Sequence, residues 1–376
     1  MGGFGGHGRG VVVAIAAIGW TLFHFLVGRW HEDTDDAYVQ GNIVSITPQA
    51  AGTVVSIAAD DGMKVKAGQV LLRLDPNDAR VAYEQAAANL ANTVRQVRGL
   101  YSAVDANQAD IAARRVAVEK ARADIARRSS LVATGAVSAE ELAHAREELA
   151  AAEAALAGSR ETLAKNRALV DATDLVDQPQ VAAAAAQLRQ AYLAMERMAI
   201  VAPVDGYVAR RTAQLGQRVQ PGATLMTVVP LDQVWVEANF KETQLAKMRI
   251  GQPVELHSDL YGKDVRFDGH LVSLGLGTGS AFALLPAQNA SGNWIKIVQR
   301  VPVRISVDGT QLHDHPLRLG LSMHADVALK DQDGPLLAAA PPAKPLLTTD
   351  AYAKQLAEAD ARILRIVQAN LPGHRG

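Results

Sequence analysis

The sequence predicts a mixed α and β chain in which a long antiparallel helical hairpin interrupts one small β-sandwich, with an apolar span before it and a small β-barrel after it. Three observations predict this. An apolar residue recurs every seventh position through much of residues 77–198. A short glycine-bearing β pattern occurs on both sides of that stretch at one constant offset. A continuous, largely apolar run fills Val11 to Gly28.

The composition sets bounds first. The 376 residues carry a formal net charge of −1, which implies no general affinity for nucleic acid or acidic surfaces. There is no cysteine, so disulfides, thiolate metal sites and cysteine nucleophiles are excluded.

Residues 1–10 are glycine-rich and predicted disordered. The run 11–28 that follows is long enough, at about 27 Å of helix, to approach the hydrocarbon thickness of a bilayer. Trp20 and His24 lie within it, and Trp30 follows at the position of an interfacial aromatic. A cleaved signal peptide has a shorter apolar region and a small-x-small site, and no Ala-x-Ala follows Val27. The reading is therefore an uncleaved transmembrane anchor over 11–28. Arg9 on one side and Arg29 on the other leave its orientation open.

Residues 29–43 read as a linker or barrel-associated strand. The first β half, 44–76, and the second, 199–230, repeat each other. Gly52, Gly62, Gly68 and Pro76 stand against Gly206, Gly216, Gly222 and Pro230, each pair 154 residues apart (206 − 52, 230 − 76). Each copy alternates β-rich runs with glycine turns. Neither copy is large enough to bury a core alone, so the two are expected to pack as one sandwich.

Between the halves, residues 77–198 read as a coiled-coil hairpin. Tyr83, Leu90, Val97, Val104, Ile111, Val118 and Ile125 form one seam, with Ala87, Val94 and Tyr101 beside it before it turns polar at Gln108, Arg115 and Arg122. Leu142, Leu149, Leu156, Leu163 and Val170 return on the second arm, with Ala145 and Ala152 on its inner side. Gly135 ends the first arm and supplies the tip turn. Ser138 is the expected N-cap of the second arm, and Glu141 completes a Ser-x-x-Glu capping box. The second arm is expected to break near residues 171–179, with Asp177 capping a new helix that has Pro179 in its first turn. Apolar Leu131, Val132 and Val137 sit at the tip, away from any core, which suggests a partner there; closing the hairpin is the alternative role.

From 231 to 330 the pattern is a β-barrel. Strands are expected near 234–240, 254–256, 265–274, 294–307 and 321–329, with a helical segment over Lys241 to Met248. Gly275-x-Gly277-x-Gly279 lacks the strand-turn-helix setting of a nucleotide loop and reads as a barrel loop. Phe282, Leu284, Leu285 and Trp294 are candidates for contact with an apolar substrate or a neighbouring subunit, or for packing within the barrel. His313-Asp314-His315 offers two imidazoles in an apparent turn, and no metal centre is assigned to it. Residues 331–376 read as a proline-rich linker and a C-terminal helix over about 350–370, capped by Thr349 or Asp350, with no docking place indicated.

Arg127, Leu131 and Ser138 match the Arg-x3-Leu-x6-Ser tip motif of membrane fusion (periplasmic adaptor) proteins. The two glycine-bearing halves resemble the biotinyl or lipoyl carrier fold, split by a hairpin as in those adaptors. Phe240-Lys241-Glu242-Thr243-Gln244, Met248-Arg249-Ile250-Gly251-Gln252-Pro253 and Gln288-Asn289-Ala290-Ser291-Gly292-Asn293-Trp294 resemble the EmrA branch of the HlyD family. So does Thr34-Asp35-Asp36-Ala37-Tyr38-Val39. The resemblance implies that Arg127, Leu131 and Ser138 contact a TolC-like outer-membrane channel. It also implies an inner-membrane major-facilitator transporter as partner, a single-span anchor in the inner membrane and the bulk of the chain in the periplasm of a Gram-negative bacterium. A hexamer-like homo-oligomer and multidrug efflux follow from the same likeness, with no cofactor, no nucleic acid and no enzymatic activity. A swinging-arm carrier is the rival that the lipoyl likeness raises. In carriers the modified lysine sits between the halves; here a coiled coil occupies that place, and Lys64 and Lys66 lie inside the first half. An adaptor of an ATP-driven secretion system and a structural coiled-coil envelope protein are two further rivals.

Overall fold

A computed structural model describes residues 28–132, 134–170, 174–282, 297–338, 341 and 344–371. The segment 1–10 and all of the predicted anchor except Gly28 lie outside them. Among the described residues no helix is long and apolar enough to cross a membrane. The described residues form two compact units, one built within 28–48, 56–72 and 200–351, the other within 49–55, 73–199 and 352–371.

The first unit contains a closed six-stranded barrel. Its strands are β1 (His31–Gln40), β10 (Trp235–Lys241), β13 (Arg300–Val307), β12 (Arg266–Leu274), β11 (Pro253–Ser258) and β14 (Ser322–Ala328), in that order around the wall. The strand before the first β half is thus a full stave: Val39 pairs with Val236 on β10, and Glu32 with Val327 on β14. Alternation puts Ala37, Val39, Val236, Ala238, Phe240, Leu256, Phe267, Ile305 and Val327 into the core. Thr34 is the buried polar residue of β1, and its hydroxyl donates to the Asn239 carbonyl at 3.1 Å.

Two expectations for the barrel need correction. The helical segment over Lys241 to Met248 shrinks to one 3-10 turn, Leu245–Lys247. The Gln244 side chain accepts from the Lys241 backbone N–H at 2.9 Å and donates to Glu32 at 2.7 Å, so local side-chain bonds hold a tight connection in place of a helix. The His313-Asp314-His315 stretch is not a plain turn, because His313 and Asp314 end a short helix, α4 (Gly309–Asp314), which Asp308 caps. The His315 ring stands edge-on to Tyr261 at 5.3 Å and to Phe267 at 6.4 Å.

The repeat folds with the symmetry that its offset predicts. The first copy supplies β2 (Val44–Ile46), β3 (Gly52–Ile57), β4 (Lys64–Val65) and β5 (Val70–Leu74). The second supplies β6 (Ala199–Val201), β7 (Gly206–Arg211), β8 (Arg218–Val219) and β9 (Met226–Val229). One four-stranded sheet has the order β2-β9-β7-β4 and the other β6-β5-β3-β8, so exchanging the copies turns one order into the other. Gly62 and Gly216 have φ of 81° and 79°, and Gly68 and Gly222 have 79° and 86°, the left-handed turn conformation that glycine accepts without strain. The bond from Ala58 N–H to the Leu71 carbonyl (2.8 Å) recurs from Thr212 to Leu225 (2.9 Å), again 154 residues on.

The second unit is helical. Helix α1 (Asn77–Val132) runs unbroken for 56 residues, about 84 Å. It packs on α2 (Ala139–Val170), and towards its base on α3 (Pro179–Glu196). Ile111, Val118 and Leu156 are buried in the middle of the hairpin, with Leu149, Ala152 and Leu163 against them. Where the companion seam of α1 turns polar, Arg122 bridges Glu119 on its own helix (3.2 Å) and Glu153 on α2 (2.8 Å).

The second arm breaks as expected, but the residue before α3 is Gln178 and not Asp177, which belongs to a 3-10 turn, Leu175–Asp177. The Gln178 side chain does not cap α3. It donates back to the Val170 carbonyl at the end of α2 (2.5 Å) and to the Tyr101 hydroxyl on α1 (2.9 Å). One amide thereby satisfies a carbonyl left open by the break.

The C-terminal helix, α5 (Lys354–Ala369), packs on this base. Ile363 and Val367 join Leu90, Val94, Val97, Val181, Ala184 and Leu188 in one buried cluster. The helix begins at Lys354 and neither Thr349 nor Asp350 caps it. Thr349 is instead engaged with the Pro203 carbonyl.

Candidate functional site

The hairpin tip gathers the residues singled out above, and its local order explains their conformation. Helix α1 ends at Val132, and Gly135 takes φ +75°. The Gly135 N–H donates to the Val132 carbonyl (3.0 Å) and the Ala136 N–H to Leu131 (3.1 Å), closing the open carbonyls of the helix end. Thr134 adds a hydroxyl bond to the same Leu131 carbonyl at 2.8 Å. The Thr134 N–H reaches it too (3.2 Å), so three donors converge on the Leu131 carbonyl, while the Leu131 side chain is 40% exposed.

Ser138 and Glu141 form the predicted capping box. The Glu141 N–H donates to the Ser138 hydroxyl (3.1 Å), and the Ser138 N–H donates to the Glu141 carboxylate (2.9 Å). That backbone bond, then the Ser138 hydroxyl, hold the Glu141 carboxyl below its ordinary value, with the Arg128 charge adding to the effect. Ser138 is therefore a structural cap with an exposed edge. Arg127 pairs with Asp124, and Arg128 reaches the same carboxylate at 2.6 Å. The bond from Arg127, then that from Arg128, keep Asp124 below the usual carboxylate range. Arg127 nonetheless presents 70% of its side chain to solvent.

The tip thus brings Leu131, Gly135 and Ser138 together, with Arg127 one turn back along α1. It offers an exposed aliphatic group, a cation and a polar edge, with no arrangement for bond-making chemistry. Sequence reading missed Asp124 and Thr134. Asp124 was detectable as the acid four residues before Arg128. Of the barrel candidates, Phe282 is exposed, while Leu284, Leu285 and Trp294 lie outside the described residues. Among the described residues no group of side chains is arranged to hold a metal ion.

Comparison with known proteins fits this architecture. Residues 77–198 match the family model for the EmrA alpha-helical hairpin domain. Residues 233–327 match the AAEA-like beta-barrel domain. The multidrug export protein EmrA of Escherichia coli K12 is 46% identical over 354 residues, covering 94% of this chain and 91% of that one. The multidrug export protein EmrA of Haemophilus influenzae is 45% identical over 360 residues, 96% of this chain and 92% of that one. The probable multidrug resistance protein EmrK of Escherichia coli K12 is 44% identical over 340 residues, 90% and 88% of the two chains. With hairpin, barrel and nearly the full length of such relatives in common, the chain belongs to the EmrA family of multidrug export proteins.

Proposed function

We propose that this chain is the periplasmic adaptor of a three-part multidrug efflux assembly. In this reading the 11–28 span holds it in the inner membrane, beside a major-facilitator transporter. The hairpin carries Arg127, Leu131 and Ser138 outward to a TolC-like outer-membrane channel, and Gly135 sets the turn that presents them. The split sandwich and the barrel form the base of a homo-oligomer. The adaptor itself performs no catalysis and needs no cofactor, because the energy of transport enters through the transporter.

The observation that carries this reading is the hairpin tip. An arm of about 84 Å ends in an exposed leucine whose backbone is fixed by three hydrogen bonds. A spacer with no partner gains nothing from an ordered apolar tip, whereas a docking arm does. Family membership supports an export role.

Cross-linking in intact cells tests it. The chain has no cysteine, so Ala136→Cys at the tip and Val116→Cys on the exposed flank of α1 each give a unique attachment point. The expected result is an outer-membrane channel trapped from position 136 and not from 116. Efficient self-adducts at both positions with no channel adduct would sink the tip assignment and favour a self-associating coiled coil.

A further inference from the structure

One end of the barrel carries an apolar surface that the export reading leaves without a role. Strand β1 runs antiparallel to β10 and β14, and β13 antiparallel to β10 and β12. The start of β1, the end of β12, the start of β13 and the end of β14 therefore share one barrel end. The chain after β14 stays there: Leu329 N–H donates to the Trp30 carbonyl (2.8 Å), and Ile250 N–H to the Pro335 carbonyl (3.1 Å). On this end Leu276, Phe282, Ile297, Val298, Leu336 and Leu337 are between 48% and 83% exposed. Among the described residues, the loops at the opposite end expose Ile43 and Leu260 as large apolar side chains. Six such side chains on one end, against two on the other, mark a contact surface rather than scattered surface leucines.

The chain itself says what lies against it. The apolar run of the sequence stops at Gly28, and only Gly28–Trp30, a single 3-10 turn, leads into β1. Three residues of that geometry rise about 6 Å, and fully extended they reach about 11 Å. The headgroup zone on each side of a bilayer is of similar depth, roughly 5–8 Å. If the run spans a membrane, this barrel end has no room to stand clear of the headgroups. Trp30 fits such a place: the Arg29 guanidinium lies 4.7 Å and the Lys247 ammonium 5.4 Å from its ring, so an aromatic body is framed by cations.

We infer that this end of the barrel is a bilayer-contact surface. Leu276, Phe282, Ile297 and the Leu336–Leu337 pair enter the interfacial layer of the membrane in which the chain is anchored, with Trp30 at the headgroup level. The surface orients the barrel on the membrane independently of the transporter. The inference rests on the anchor reading of residues 11–28 and goes beyond it, because a tether alone would leave the barrel free to tilt.

The test uses the full-length protein in nanodiscs of phosphatidylethanolamine and phosphatidylglycerol, with no other protein present. Single cysteines are placed by Phe282→Cys, Leu336→Cys, Leu260→Cys and Ile18→Cys, each labelled with an environment-sensitive fluorophore. All three barrel positions are exposed, so the substitutions leave the core untouched. Lipids with a nitroxide near the top of the acyl chain are then added. The expected result is at least a twofold loss of fluorescence at 282, 336 and 18, with 260 unchanged. Quenching at 18 with 282 and 336 as unaffected as 260 overturns the contact surface and leaves the anchor standing. No quenching at any position overturns both. Copy-to-copy cross-links through 282 without lipid quenching overturn the inference and give the surface to a second copy of the chain.

Discussion

Arg189 on α3 and Asp360 on α5, 171 positions apart in sequence, meet through two nitrogen–oxygen contacts of 2.6 and 2.9 Å onto one carboxylate oxygen. Beside them the Tyr192 hydroxyl donates to Glu358 at 2.8 Å, and Arg362 lies over the rings of Tyr192 (5.0 Å) and Tyr83 (5.9 Å). A polar rim thus borders the apolar contact of Ile363 and Val367.

The apolar contact dominates this docking. The Arg189 and Asp360 side chains are 37% and 50% exposed, so solvent screens their pairing. Asp360→Ala is expected to cost about 1 kcal/mol or less. Ile363→Ala removes a buried side chain and is expected to cost about 2–5 kcal/mol. Urea unfolding followed by the helical signal at 222 nm checks the order of the two, and equal or inverted effects would overturn this ranking.

Tyr192 predicts how the same base responds to alkali. Loss of water around the buried phenol, then its bond to Glu358, push its pKa up to about 12. A raised folded-state value means that the contribution is complete below about pH 10, the unfolded value, and is lost as pH rises through the folded one. The helical unit is therefore expected to weaken between about pH 10 and 12. Tyr192→Phe should flatten that part of the stability profile while lowering stability at pH 7.

At the tip, Ser138→Ala is expected to fray the start of α2, by about 1 kcal/mol. Ser138→Asp keeps a good cap and should hold the helix, as amide exchange over residues 139–142 would report. Glu141 has a lowered folded-state pKa, so its part of the cap is complete above the ordinary glutamate value and fades as pH falls through the folded one. A lower protection factor on acidification, absent in Glu141→Gln, is the expected signature.

Leu131→Asp is expected to abolish drug export in cells while leaving helix content and membrane association unchanged, because the side chain is exposed and only its backbone closes the turn. Minimum inhibitory concentrations equal to wild type for that variant would remove Leu131 from the docking surface.

The repeat is symmetric in its turns but not in its tolerance. A Cβ on Gly206 would stand 2.6 Å from the Val229 carbonyl oxygen, which the strand pairing fixes, whereas on Gly52 it would meet the Leu74 side chain at 3.1 Å or more. Gly206→Ala is expected to cost about 1–3 kcal/mol, and Gly52→Ala less. Thermal unfolding of the two variants decides it.

Much of this was legible because it rests on local rules. The heptads marked the seam that buries Leu90, Val97, Val104, Ile111 and Val118. The 154-residue offset marked the turns at Gly62, Gly68, Gly216 and Gly222, and Ser138 with Glu141 marked the helix start. What escaped depends on long-range partners. Nothing near Ile363 says that its partners are Leu90 and Val94. Asp177 looked the better cap, but Gln178 sits between the Val170 carbonyl and Tyr101, and only the fold brings those two together. The segment after Lys241 had helical composition, and Gln244 overrode it through a bond to Glu32 on the neighbouring strand β1.

The docking of α5 also fixes an order of assembly. The hairpin's opening helix places Leu90 and Val94 against Ile363 and Val367, which are made near the end of synthesis. Loop closure over such a separation is slow compared with pairing of neighbouring helices. On the ribosome, the upper hairpin, whose contacts join Ile111 and Val118 to Leu156, forms from residues already made. Its base stays incomplete until the chain is nearly finished. A nascent chain stalled before residue 354 therefore holds a zipped mid-hairpin beside an apolar groove still awaiting its last helix.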